Sequence, residues 1–272
     1  MPTDEILRAL SRVDLAPTLL AGGAALARVA PAVWIAPFLG GRLVPTSIKM
    51  VVAFALAVCV APQLLSETQA LAHGAPLLQG AVLVKEALVG ATLGFVVAVV
   101  FYAAEAAGRL ADFARGAGLA ETLAPQAGGS GSPLGALYLL LCLVLFISLG
   151  GHRLFITALG ASYQSLPLLS FPTGVGLSGL ALFACRVTAE LLLIAVTLAA
   201  PVLAALFLAD VTLGLINRFV PQANVYFLAM PATAALGIAV LVLAVGLIAG
   251  LLPTLLDAAV QQATRALTIL SS

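Results

Sequence analysis

The sequence predicts an all-α, polytopic membrane protein of kinked long helices and helical hairpins. Two observations carry this. Only 8% of the 272 residues are charged and 62% are apolar, with a mean hydropathy of +1.18, whereas soluble domains carry about 25% charged residues. A chain of this length cannot hide so much apolar surface in its own core, so part of it must face lipid or other subunits. Second, the apolar residues fall in six runs, at about 15–40, 46–66, 76–111, 134–160, 175–209 and 225–256. Each reaches the roughly 20 residues of a span, and the third and fifth are too long for one upright span. Ala, Leu and Val dominate and strand alternation is absent, which selects helices over a barrel.

The runs are expected to bend at Pro31, Pro37 and Pro201, because proline removes a helical donor and crowds the preceding turn. The one long stretch of loop chemistry is DFARGAGLAETLAPQAGGSGSP, residues 112–133, whose Gly and Pro content stops a continuous helix. The chain therefore reads as a single helical domain, 1–272, with a Gly-rich loop at 112–133 and C-terminal helices over 134–272. The opening MPTDEILRALSRVD mixes signs, is a poor charged region for a cleavable signal and is expected to be retained.

Charges interrupt the runs at Arg28, Lys49, Lys85, Glu86, Glu105, Arg109, Arg186 and Glu190. An unpaired charge at mid-span costs about 2.5–3.5 kcal/mol on insertion scales. Glu105 with Arg109, and Arg186 with Glu190, have the i,i+4 spacing that puts opposite charges on one helical face. Snorkelling to a span end suits Lys49 and Lys85 but not Glu86 or Glu190. In KEALVGATLGFVVA, Glu86, Gly90, Gly94 and Ala98 recur every four residues, and GLIAG repeats the spacing at Gly246 and Gly250. Such a row lets another backbone come close, whether from the same chain or from a partner. With alternating spans, Arg8, Arg12, Lys85, Arg153 and Arg265 oppose Arg42, Lys49, Arg109, Arg115 and Arg218, so the positive-inside rule assigns no orientation.

No catalytic constellation emerges. Phosphate-loop and dinucleotide fingerprints are missing. His73 and His152 have no ligand partner at metal spacing, and Cys59, Cys142 and Cys185 lie in apolar runs as small hydrophobes. GSGSP near residue 130 is too short a match to support an intramembrane serine protease; His152, after two glycines, reads as a polar residue at a turn. The net charge of +1 implies no nucleic-acid surface. No catalytic, metal or cofactor site is expected.

The most distinctive polar cluster is INRFVPQANVYFLAMP, 216–231. Pro221 ends or bends a helix there, Gln222 and Asn224 can bond the freed backbone groups, and Arg218 can pair with Asp210 or with a partner's carboxylate; an ordinary interhelical turn is the alternative. PVLAALFLADVTLGLINRFVPQANVYFLAMP, 201–231, resembles the signature of the FliR/SctT family of flagellar and type III secretion export proteins. RVAPAVWIAPFLGGRLVPTSIK (28–49), KEALVGATLGF (85–95), AAEAAGRLADFARGAGLAETLAPQAGGSGSPLG (103–135) and LFISLGGHRLFITALGASYQSLPL (145–168) agree in order. The GG-His segment and SPLG at 132–135 lean towards the injectisome branch. Ala232, after Pro231, departs from the Lys that some injectisome members carry there.

The resemblance implies a pore-forming, non-enzymatic subunit of a protein export gate in the bacterial inner membrane. It would join subunits of the FliP/SctR and FliQ/SctS types in a helical cone partly raised towards the periplasm. The FlhB/SctU switch protein and the FlhA/SctV export protein would be further partners, with unfolded secreted proteins as cargo and lipid around the base. The matching loop in the family plugs the gate, which assigns Gly116, Gly118, Leu119, Ala120, Glu121, Thr122, Leu123, Ala124 and Pro125 to the plug. Glu86, Gly90, Gly94, Glu105, Arg109, Arg186 and Glu190 are candidates for subunit packing, and Asp210, Arg218, Pro221, Gln222, Asn224 and Pro231 form the hinge motif. A six-span secondary transporter is the alternative from another class. It should show matching broken helices in its two halves, and the Pro-rich stretches near 31–45 and 221–231 show no sequence match.

Overall fold

The computed structural model describes residues 15–41, 44–116, 132–219 and 225–271. Among them there is no strand. The helices are α1 (Leu15–Ile35), α2 (Pro37–Gly40), α3 (Thr46–Ala72), α4 (Pro76–Ala114), α5 (Pro133–Ser148), α6 (Gly151–Ser165), α7 (Gly174–Phe219) and α8 (Val225–Ser271). Four of them, α1, α3, α4 and α7, are long and apolar enough to cross a membrane, and α5 with α6 passes as one broken span bent by 72°. The protein is an all-α, polytopic membrane protein.

The helix ends follow local chemistry. Helix α1 runs through Pro31 and stops only at Ala36, which is extended (φ −67°, ψ 117°) because Pro37 follows it. Helix α7 likewise continues through Pro201, and α8 through Pro231 and Pro253. Helix α4 begins with Pro76 and ends at a left-handed Gly116 (φ 77°), where a side chain would be strained. The Ser132 hydroxyl caps α5 by accepting from the Gly135 N–H (2.8 Å), with Pro133 at the first helical position. Gly150 (φ 78°) separates α5 from α6, where the sequence expected a turn.

The chain divides into two compact units. One comprises residues 1–98, 153–184 and 259–272, the other 99–152 and 185–258. In the first, α1 packs along α3 and buries Ala21, Ala25, Val29, Ala32 and Val33 completely. The row on α4 meets α1 of the same chain. A Cβ on Gly90 would overlap the Arg28 carbonyl oxygen, and one on Gly94 would sit 2.9 Å from that of Ala32. Only residues without a side chain permit this approach. In the second unit, Leu134, Tyr138, Cys142 and Phe146 are buried at four-residue spacing on α5, and Phe146 meets Phe101 of α4 edge-on at 5.1 Å.

Candidate functional site

The close approach of α1 to α4 brings together charges that lie 58 residues apart in sequence. Arg28 and Glu86 are both wholly buried. The Arg28 Nε donates to Glu86 Oε2 at 2.5 Å, and its Nη2 donates to Oε1 at 2.9 Å. Its remaining donors reach the Ser162 hydroxyl (2.9 Å) and the Leu166 carbonyl (2.8 Å), and the guanidinium lies 3.9 Å from the Tyr163 ring centroid. This fork is a geometry that lysine could not reproduce.

Lys85 does not snorkel. It is 4% exposed, pairs with Glu86 at 2.8 Å, and donates to the carbonyls of Pro167 (2.7 Å) and Leu168 (2.8 Å). The expectation of a span-end lysine is thus overturned, because irregular backbone after α6 supplies the oxygens that water would otherwise provide. Glu67 of α3 accepts from the Leu168 N–H at 2.7 Å. Arg28, Lys85 and Glu67, from three helices, therefore hold the non-helical backbone of residues 166–168, and Glu86 pairs with both cations. Lys49 bonds the Gly40 carbonyl at 2.7 Å and lies 5.5 Å from the Trp34 ring.

A second polar cluster stands in the other unit, where α4 ends and α5 begins. Asp112 Oδ1 accepts from Arg115, with Nε at 2.7 Å, and Oδ2 accepts from the Ser132 hydroxyl and from the Leu134 N–H at 2.9 Å. Glu105 and Arg109 pair across one helical turn at 2.5 Å. Sequence reasoning passed over Asp112. The usable signal was an acid ahead of a Gly-rich stretch that ends in a Ser-Pro cap.

The other candidates are distributed along α7 and α8. Arg186, Asp210 and Arg218 are exposed and Glu190 is half-buried. Helix α7 is continuous from Asp210 to Arg218, so a rise of about 12 Å separates them, and no ion pair joins them among the described residues. Pro231 is exposed within α8. Gly118, Leu119, Ala120, Glu121, Thr122, Leu123, Ala124, Pro125, Pro221, Gln222 and Asn224 lie outside the described residues. Among the described residues no cluster of three His, Cys, Asp or Glu side chains could hold a metal ion.

Residues 19–259 match the family described as bacterial export proteins, family 1. The chain is 39% identical to Yop proteins translocation protein T of Yersinia pestis over 159 residues, which is 58% of this chain and 60% of that protein. It is 30% identical to the surface presentation of antigens protein SpaR of Salmonella typhimurium over 220 residues (80% of this chain, 79% of the relative). It is 28% identical to the flagellar biosynthetic protein FliR of Escherichia coli over 227 residues (82% and 84%). Against the Yersinia protein the chain thus spans three fifths of the relative's length. The match across most of the chain settles its membership: it belongs to the bacterial export proteins of family 1, the FliR/SctT family.

Proposed function

We propose that the chain is a structural, pore-forming subunit of a type III secretion export gate that conducts unfolded proteins across the bacterial inner membrane. The family match over residues 19–259 carries this reading, and the injectisome branch is favoured by the higher identity to the Yersinia translocation protein than to FliR. The partners are subunits of the FliP/SctR and FliQ/SctS types, with the FlhB/SctU switch and FlhA/SctV export proteins acting alongside. The role is conduction without catalysis.

Residues 118–125 serve as the plug in this reading. GAGLAETLAP is small and weakly apolar, suited to filling a protein-conducting path and to being displaced by a passing chain. Deletion of 118–125 should leave the complex assembled and make the membrane leaky to small solutes. An assembled deletion variant with an unchanged ion leak would rule the plug out.

A further inference from the structure

Helix α3 is the least covered of the four helices long enough to cross a membrane. The chain buries 17% of its most apolar stretch, against 28–67% in α1, α4 and α7. It packs along α1 and buries the small Ala53 and Ala57. Its outer face carries the larger Val51, Phe54 and Val58, which are 53–67% exposed and three and four residues apart. A helix facing water would carry polar side chains there. Both ends of this face are marked. At the start, Lys49 stands beside Trp34, which is 49% exposed. The Lys49 Nζ lies 5.5 Å from the Trp34 ring centroid and donates to the Gly40 carbonyl at 2.7 Å. At the far end, polar side chains return to the surface at Gln63, Ser66, Gln69 and His73. No charged residue stands between Lys49 and Glu67. The rise from Lys49 is about 21 Å to Gln63 and about 27 Å to Glu67. The hydrocarbon layer is about 30 Å thick, and it thins locally around a slightly short span.

We propose that the outer face of α3 is a lipid-binding surface, and that Trp34 and Lys49 stand at the headgroup level, where Lys49 takes the phosphate of an anionic phospholipid. Three features together select lipid as the occupant. The apolar face is close to one hydrocarbon thickness in length. An indole at its edge suits the boundary between acyl chains and headgroups, with an apolar body and one polar N–H. Lys49 has no carboxylate partner among the described residues, and Gly40 uses one of its three ammonium donors. The other two are free for phosphate oxygens, while the aliphatic stem lies along apolar surface. A protein helix laid on this face would have to bring a carboxylate to Lys49. Lipid supplies the anion and the apolar cover in one molecule.

The test uses the full chain reconstituted in vesicles of phosphatidylcholine, with or without phosphatidylglycerol. Cys59 is exposed on α3, about 15 Å along the helix from Lys49. With Cys142 and Cys185 replaced, a nitroxide on Cys59 should collide often with oxygen, which concentrates in hydrocarbon, and rarely with a water-soluble nickel chelate. A nitroxide carried by Met50→Cys, with all three native cysteines replaced, should shift towards the chelate. Few collisions with either agent at Cys59 would mean that protein covers the face, and frequent collisions with the chelate would mean water; each overturns the inference. Trp34 is the single tryptophan, so its fluorescence reads the headgroup level without a variant. Lipids brominated near the headgroup should quench it more than lipids brominated near the chain end, and the reverse order would overturn the placement. Brominated phosphatidylglycerol should quench Trp34 at an about fivefold lower fraction of the lipid than brominated phosphatidylcholine, the worth of one basic side chain at an anionic surface. Lys49→Gln, which can still donate to Gly40, should remove that preference, and Lys49→Arg should keep it. A parent without the preference, or a Lys49→Gln variant that retains it, refutes the headgroup assignment. Loss of the preference on adding inorganic phosphate at constant ionic strength would make the site one for free phosphate and refute it as well.

Discussion

Replacing Arg28 with Met removes a cation of similar volume from a wholly buried site. Four hydrogen bonds go, two of them to Glu86, together with the stacking on Tyr163. What remains is Glu86 with Lys85 as its one ion-pair partner among the described residues, and a cluster with one cation fewer than its anions. Breaking a buried pair from one side costs about 3–5 kcal/mol, since the surviving charge is left without its counter-ion. Arg28→Met should therefore lower the melting temperature of the detergent-solubilised chain by roughly 10 °C. The double variant Arg28→Met, Glu86→Leu leaves Lys85 facing Glu67, so the charges balance again. Its loss should fall short of the sum of the two single losses by about 1–3 kcal/mol. Thermal unfolding of the four proteins followed by tryptophan fluorescence reads this directly, because the chain holds a single Trp, Trp34. A single variant that melts within about 1 °C of the parent, or strictly additive losses, would refute the view that this network holds residues 166–168.

Two further outcomes are expected. Gly90→Ala should destabilise the chain by about 1–3 kcal/mol, because its methyl meets the Arg28 backbone, which cannot rotate away, whereas Leu88→Val, at a half-buried position off that row, should cost less than about 1.5 kcal/mol; melting curves that coincide for the two would mean that α1 and α4 are not seated as described. Arg218→Ala and Pro221→Ala should still insert in the membrane but reduce secretion, measured as substrate in the culture medium, and normal secretion by both would leave the 216–231 motif as a simple turn.

Much of the fold was legible because long helices in an apolar chain follow from composition. The differences lie at the ends. Helix α3 continues past the apolar run through residues 67–72, since Glu67 and Thr68 break hydrophobicity without breaking a helix, and the Thr68 hydroxyl bonds back to Leu64 O at 3.0 Å. Helix α8 runs on to Ser271 because Leu256, Ala259, Ala263, Ala266 and Leu270 keep a buried stripe. Bends were expected at Pro31, Pro37 and Pro201; the helix ends ahead of Pro37, whereas at Pro31 and Pro201 a proline inside an apolar helix loses one bond and the helix goes on. The buried network was hidden for another reason. The Gly90–Gly94 row showed that a backbone would come close to Glu86. Periodicity on one helix, however, does not name the partner, and Arg28 lies 58 residues away. Lys85 was misread because its acceptors are backbone oxygens, which carry no residue signature.

Glu86 is satisfied within the chain, so the need for partners must be argued from elsewhere, and α7 supplies the reason. Its 46 residues extend about 69 Å at 1.5 Å each. The hydrocarbon layer is about 30 Å thick and the whole bilayer about 45 Å, and even a 40° tilt leaves α7 spanning more than 50 Å. Exposed apolar side chains run along the entire helix, from Leu177 and Leu182 through Leu193 and Phe207 to Leu215 and Phe219. The charge-free stretch between Glu190 and Asp210 is about 28 Å long, one hydrocarbon thickness. With that stretch in the bilayer, Leu177, Leu182, Leu215 and Phe219 lie beyond the charges on either side, where water would meet them. A shift of the helix along the membrane normal covers one end only by exposing the other. Lipid cannot cover the whole of α7, so protein must cover part of it. The isolated chain in mild detergent should therefore self-associate, and co-expression with FliP/SctR- and FliQ/SctS-type subunits should yield one defined complex by size-exclusion chromatography with light scattering. A monodisperse, heat-resistant monomer would show that α7 needs no such cover.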